Sequence, residues 1–417
     1  MAAAFHIVVA LEGQPRLDDN PALHQAVGLA RRQPRAQLTV LAARREGQRL
    51  QGPHRRRLEA QALASLAQRL AAAGIPLLHR PQHTSAAALA ELGDIRPADA
   101  VLYAGESRLF RDWPLPPEAF PRVFSDFRRQ LQQAPEPPLP PPDLEGLASD
   151  PGAWPRDWLH PCAGAASADS GDPRRDHLSA HRSDPRSAFP FSGDEPAALA
   201  RLQHYVFGSD GLRDYKATRN GLVGTAFSSK VSPFLAVGSL SVRRIWDAVE
   251  RFERQHGGGE GPAWMKQELL WREFFLWSEQ RQPERFHALE GVQERPFSGE
   301  ADRERFARWT RADSGDPRID ALLRELHATG YLSNRGRQWV ASHFVNSLRL
   351  PWTWGARHFE WMLADAHPAL NSGNWAYLAG VGADPRSFGR GGGPRRFDLD
   401  RQGRLYDPEG EHARRWA

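Results

Sequence analysis

Only one cysteine, Cys162, occurs in the 417 residues. A disulfide needs two and a zinc cluster more, so neither holds this chain together. The 16 histidines never fall at H-x-x-x-H spacing within a helical stretch, and no metal site is expected. No run of about 18 apolar residues exists, so no membrane-crossing helix is expected. The opening MAAAFHIVVALEGQ lacks the basic n-region and A-x-A site of a secretory signal, which leaves the cytoplasm as the default compartment. Lysine is scarce too: Lys216, Lys230 and Lys266 are the only three among 55 basic residues. The net charge of +5 suits a polyanionic partner, although an arginine-rich genome would produce the same balance.

What is abundant is tryptophan, with ten of the 14 lying between Trp264 and Trp416. Length allows two domains. FHIVVAL, QLTVLA, IPLLHR and ADAVLYAG read as strands, alternating with helices over 21–32 and 55–73. That order predicts a small parallel α/β sheet of about four strands. Residues 135–190 are rich in Pro, Ser, Asp and Gly, as a linker or surface wrap would be, partly disordered. From Asp194 the pattern turns helical: PAALARLQHYVF, VRRIWDAVERFERQH, PAWMKQELLWREFFLWSEQR, RIDALLRELHATG, RGRQWVASHFVNSL and ARHFEWMLADAH. A Gly/Arg-rich loop is expected from Gly382.

Three stretches carry chemistry. In Tyr215–Leu240, Ser228, Ser229, Lys230, Val231 and Ser232 precede Pro233 and a helix, where hydroxyls and backbone N–H groups suit a phosphate; such loops also serve as plain caps. In WMKQELLWREFF, Glu268, Trp271 and Arg272 stand at i, i+3 and i+4 and share a helix face. The third stretch, Tyr331–Gly382, contains N-R-x-R, a W-x-x-G and D-x-x-x-x-x-N-x-G-N-W.

These three stretches, in this order, resemble the photolyase/cryptochrome family, closely over residues 200–417 and loosely over 1–135. The resemblance implies a reduced α/β Rossmann-like antenna domain at 1–134, a linker at 135–193 and an all-α FAD-binding domain at 194–417. Tyr215 and Ser228 to Ser232 would then contact the ribityl and diphosphate of FAD. Arg272 and Glu268 would flank it, and Arg337 and Asp365 would form an ion pair over the flavin. Asn371 would face its N5. Asn334 and Arg335 resemble contacts at the DNA-facing edge. Gln338 and Tyr377, with Trp264, match the DASH pattern. The resemblance implies light-driven repair of cyclobutane pyrimidine dimers in single-stranded DNA by a monomer. Glu268 would stabilise the dimer radical while Trp271 and Tyr377 pack on it. The alternative is a blue-light photoreceptor or redox sensor without repair.

Departures from the family are specific. Trp375 and Trp352 match the proximal and middle members of an electron-transfer tryptophan chain, but Phe297 stands in the distal place. Phenylalanine is far harder to oxidise, so photoreduction should be poor unless Trp354 or another aromatic supplies a detour. His367 replaces the second acid of a D-x-D pair. The family's opening survives only as PRLDDNPAL, and the stretch after Glu106 is shortened. Glu106 could still serve as the carboxylate of a methenyltetrahydrofolate antenna.

Overall fold

The computed structural model describes residues 4–44, 51–147, 150–161, 184–384 and 393–417. Cys162 and most of the Ser/Asp-rich stretch read as part of the linker lie outside these residues.

Four runs of small and branched apolar residues form the sheet: β1 (His6–Leu11), β2 (Gln37–Arg44), β3 (Leu77–Thr84) and β4 (Ala100–Ala104). They pair in parallel in the order β3-β2-β1-β4. Parallel neighbours need crossovers, here α1 (Pro21–Arg32), α2 (Pro53–Ala72) and α3 (Ser85–Ile95). β1 is buried throughout, with Ile7 and Val9 in one core and Val8 in another, as a strand covered on both faces requires. The Pro-rich stretch is more than a linker. Its Trp154 and Trp158 pack beneath Val8, Leu41 and Leu78, and Leu159 bridges to Leu78 on the outer edge of β3. No described strand pairs with the free edge of β4, where Val101 and Tyr103 are 37% and 56% exposed.

The rest is helical. α4 (Phe124–Gln130) leads through the Pro-rich stretch to α5 (Glu195–Gln203), α6 (Tyr215–Thr218), α7 (Ser232–Val237) and α8 (Val242–His256). α9 (Glu260–Arg281), α10 (Pro283–Phe286), α11 (Arg303–Thr310), α12 (Pro317–Thr329) and α13 (Asn334–Asn346) follow. α14 (Trp352–Met362), α15 (Pro368–Ala379), α16 (Leu399–Tyr406) and α17 (Glu411–Arg415) close the chain. Two expectations need correction. The helix expected over 356–367 starts at Trp352, just after Pro351, and stops at Met362 because Pro368 opens the next one. The C-terminal loop expected from Gly382 gives way to α16, capped by the Asp398 side chain on the Arg401 N–H, and to α17.

The surviving PRLDDN stretch joins sheet and helices. Fully buried Asp19 accepts from Arg243 Nη2 at 2.7 Å and Nε at 3.0 Å, and from Ser241 Oγ. Arg244 pairs with Asp18 at 2.5 Å, and Arg16 donates to the Gly238 carbonyl at 2.7 Å. Glu195 accepts the Leu17 and Asp18 N–H groups at 2.9 and 2.7 Å. Bidentate, charge-assisted bonds of this kind set register as well as energy.

Candidate functional site

The site begins with the loop before α7. Arg201, on α5, gathers three of its carbonyls: Ser229 O at 2.9 Å, Ser228 O at 2.8 Å and Thr225 O at 2.9 Å. This guanidinium went unnoticed in the sequence, since nothing local to residue 201 marks it. The loop buries Ser229 and Lys230, while Ser232 stays exposed and donates to Asp365 Oδ2 at 2.6 Å. Lys230 adopts φ of 61° and lies with Nζ 3.0 Å from the centre of the Phe227 ring. Its ammonium has no hydrogen-bond partner. Burial pushes it well below the usual lysine range, with Arg201 and Arg337 adding to the push and Glu325 opposing it.

On α9, Glu268 and Arg272 share a face but serve different neighbours. Glu268 accepts from Arg219 Nη1 and, at 3.0 Å, from Trp264 Nε1. Burial beside Glu268 raises the Tyr215 hydroxyl above the usual tyrosine range. Arg272 turns instead to Glu106 at 3.2 Å and Glu273 at 3.0 Å. His367 Nε2 meets the same Glu106 at 2.8 Å. Burial alone would raise Glu106, but His367, Arg272 and Arg108 together hold its carboxyl well below the usual range. Burial pushes the neighbouring Glu273 up, against the pull of Arg272.

Arg337 donates to Asp365 Oδ2 at 2.8 Å, an ion pair with Asp365 almost fully covered. Asn371 Nδ2 donates to the Ala356 carbonyl at 2.7 Å. Only the N–H₂ end can face a carbonyl, so Asn371 is left with Oδ1 as a free acceptor. The residues fit FAD on two counts. Lys230 Nζ, a buried donor without a hydrogen-bond partner, and the hydroxyls of Ser228, Ser229 and Ser232 suit a diphosphate. Asp365 Oδ1 and His367 Nδ1 are likewise buried without partners, as atoms awaiting a ligand's polar edge would be.

At the expected DNA-facing edge, Trp271 and Tyr377 meet edge to face with centroids 6.0 Å apart. Phe124 of α4 stacks on Trp271 at 3.9 Å and 13°. Gln338 is half-buried and Asn334 exposed. Arg335 is committed elsewhere: it donates to Asn220 at 3.0 Å and to Gln402 and Tyr406 of α16 at 3.3 Å. Trp375 is buried against Gly355, where any Cβ would come within 2.4 Å of the indole. Trp352 is buried and donates Nε1 to the Leu289 carbonyl at 2.8 Å. The Phe297 segment runs beside the Arg349 backbone, ahead of Trp352.

A second cavity, of about 660 Å³, opens where the carboxyl ends of β1, β2 and β3 face the helical half. Glu106, His79, His287 and His367 line it, with Arg44 and Arg55. Crevices at this end of a parallel sheet are where open α/β folds take ligands.

Residues 264–417 match the family described as the FAD binding domain of DNA photolyase. The chain is 43% identical over 233 residues to the cryptochrome DASH of Synechocystis, a match covering 56% of this chain and 46% of that protein. It is 39% identical over 309 residues to the cryptochrome DASH of Gloeobacter violaceus, covering 73% of this chain and 57% of that one. The chain thus spans about half the length of the curated relatives it matches. The crystal structure of the Synechocystis sp. PCC6803 cryptochrome superposes with a TM-score of 0.81 at 30% identity, covering 100% of this chain and 89% of that one.

Proposed function

The chain belongs to the photolyase/cryptochrome family as a DASH-type member with FAD as its cofactor, and from that premise we propose that it repairs cyclobutane pyrimidine dimers in single-stranded DNA under blue light. The observation that carries the proposal is the edge-to-face pair of Trp271 and Tyr377, one helical turn from Glu268. Bound FAD supplies light-driven one-electron donation. Every other task falls to side chains. Lys230, the three serines and Arg337 with Asp365 would hold the cofactor. Trp271 and Tyr377 offer ring surface to two linked pyrimidines. Glu268, oriented by Arg219 and Trp264, places a carboxyl beside them. Asn371, its N–H₂ spent on Ala356, offers the cofactor an acceptor. With Gln338 and Tyr377 as walls, the pocket suits a base that flips at small cost, which a single strand provides. The 660 Å³ cavity beside Glu106 is the place for a folate antenna. The setting of this reading is a cytoplasmic monomer.

A second reading is a photoreceptor or redox sensor that holds FAD without repair. Phe124 stacked on Trp271, and Arg335 tied to α16, favour it. The deciding experiment illuminates dithionite-reduced protein with a single-stranded oligonucleotide carrying one thymine dimer. Light-dependent loss of the dimer is the expected result. No loss in the presence of stoichiometric reduced FAD would leave the sensor as the function.

A further inference from the structure

We propose that the proline strap at residues 137–142 is a preformed docking ligand for a separate protein whose groove is lined by aromatic rings. The flavin chemistry makes no use of this segment, so the inference stands apart from it.

The run P-P-L-P-P-P dictates the conformation. Each proline ring fixes φ near about −65°. Glu136, Pro137, Leu139, Pro140 and Pro141 each precede a proline, which pushes them to extended ψ values. These restraints together give a polyproline II helix, with three residues per turn and no internal hydrogen bonds. Residues 131–144 accordingly hold no helix or strand, and no backbone hydrogen bond joins residues 135–143 to one another.

Burial follows the same threefold repeat. Glu136, Leu139 and Pro142 stand one turn apart and face the protein, the first two half-buried and Pro142 buried. Pro137 and Pro140 form a second row and are exposed. Pro141 is exposed in the third row, beside half-buried Pro138. The inner row is tied down. Leu139 donates its N–H to Asp19 Oδ1 at 3.0 Å, and its carbonyl accepts from the Asp19 N–H at 3.0 Å and Arg244 Nη2 at 3.2 Å. Arg243 Nη1 and Arg111 Nη2 both donate to Glu136 Oε2 at 3.1 Å. Leu139 has the only N–H within 137–142, so the outer rows present ring surface and carbonyls alone.

That arrangement defines the partner. Two proline pairs, 137–138 and 140–141, stand three residues apart, about 9 Å at the rise of this helix. The residue between them faces inward. Grooves lined by aromatic rings, as in SH3 and WW domains, read proline segments of this kind. A ligand already held straight loses little entropy on binding. A second copy of this chain fits less well: its exposed aromatic rings among the described residues, Tyr103 and Trp361, lie on separate elements.

The test titrates the full chain with a panel of purified SH3 and WW domains, followed by calorimetry. Binding by at least one probe is expected. Pro137→Ala with Pro140→Ala, and separately Pro138→Ala with Pro141→Ala, should each weaken it about ten-fold or more. Gln133→Ala, exposed and off the repeat, should match wild type. An unchanged urea midpoint in the first pair shows that its fold is intact. A synthetic peptide of residues 135–143 should bind the same probe more weakly, because it must be ordered on binding. No probe binding the full chain, or binding that survives both pairs, overturns the proposal. So does a peptide that binds where the full chain does not, since the strap is then closed to partners. Self-association abolished by the first pair would make a second copy the occupant and overturn the separate partner.

Discussion

Around Asp19 the buried charged side chains have all their polar atoms bonded, whereas around Lys230 several such atoms are left over. Arg16, Asp18, Asp19 and Arg243 are as deeply covered as Lys230 and Asp365, yet none of them has a buried polar atom left over among the described residues. In the candidate flavin site, Lys230 Nζ, Asp365 Oδ1 and His367 Nδ1 all lack hydrogen-bond partners. Burying polar atoms unsatisfied costs free energy. A network that closes on itself is therefore structure, and one left open is where a ligand completes the bonding. Arg337 with Asp365 sits on the boundary: one carboxylate oxygen serves the protein and the other does not.

The largest effect should come from breaking the closed network. Asp19→Asn keeps shape and tolerates the φ of 48°, but leaves Arg243 without its buried counter-charge. A stability loss of about 3 kcal/mol is expected from urea unfolding midpoints. A loss too small to measure would mean that the Asp19 network is no rivet. The open network should respond in the opposite sense. Lys230→Met removes a buried, unpaired amine, so the flavin-free chain should gain about 1 kcal/mol while FAD retention falls. Loss of stability without loss of FAD would place Lys230 among the structural charges.

The smallest effect concerns pH. His358 is lowered to about 4 when folded and returns to its ordinary value when unfolded. Its stabilising contribution is full above about pH 6.5 and is lost as pH falls toward 4. Unfolding free energies from urea titrations at pH 7 and 6 should differ by about 0.7 kcal/mol more in wild type than in His358→Phe. Equal slopes would show that His358 titrates alike in both states.

Periodic features were legible before the structure. The helix at Val242–His256 matches its sequence reading residue for residue, because apolar spacing and the Ser241 cap both act within one segment. The four strands and their parallel pairing were equally plain. Candidate site residues tied to a local motif, such as Glu268, Asp365 and Asn371, could be named from the sequence as candidates. Their partners could not. Arg219 lies 49 residues from Glu268, and Arg243 lies 224 from Asp19, distances over which no pattern runs. The helix at Leu399–Tyr406 was missed for another reason: it buries none of its residues fully, so no apolar stripe announces it.

Among the described residues no strand pairs with the outer edge of β4, which has a bearing on handling. Its outer N–H and C=O groups form an open template for another strand, and Val101 and Tyr103 make the approach sticky rather than charged. The opposite edge is shielded by the bridge to Leu159. Association of concentrated protein should therefore be one-sided, and a lysine placed at position 103 should keep it in solution.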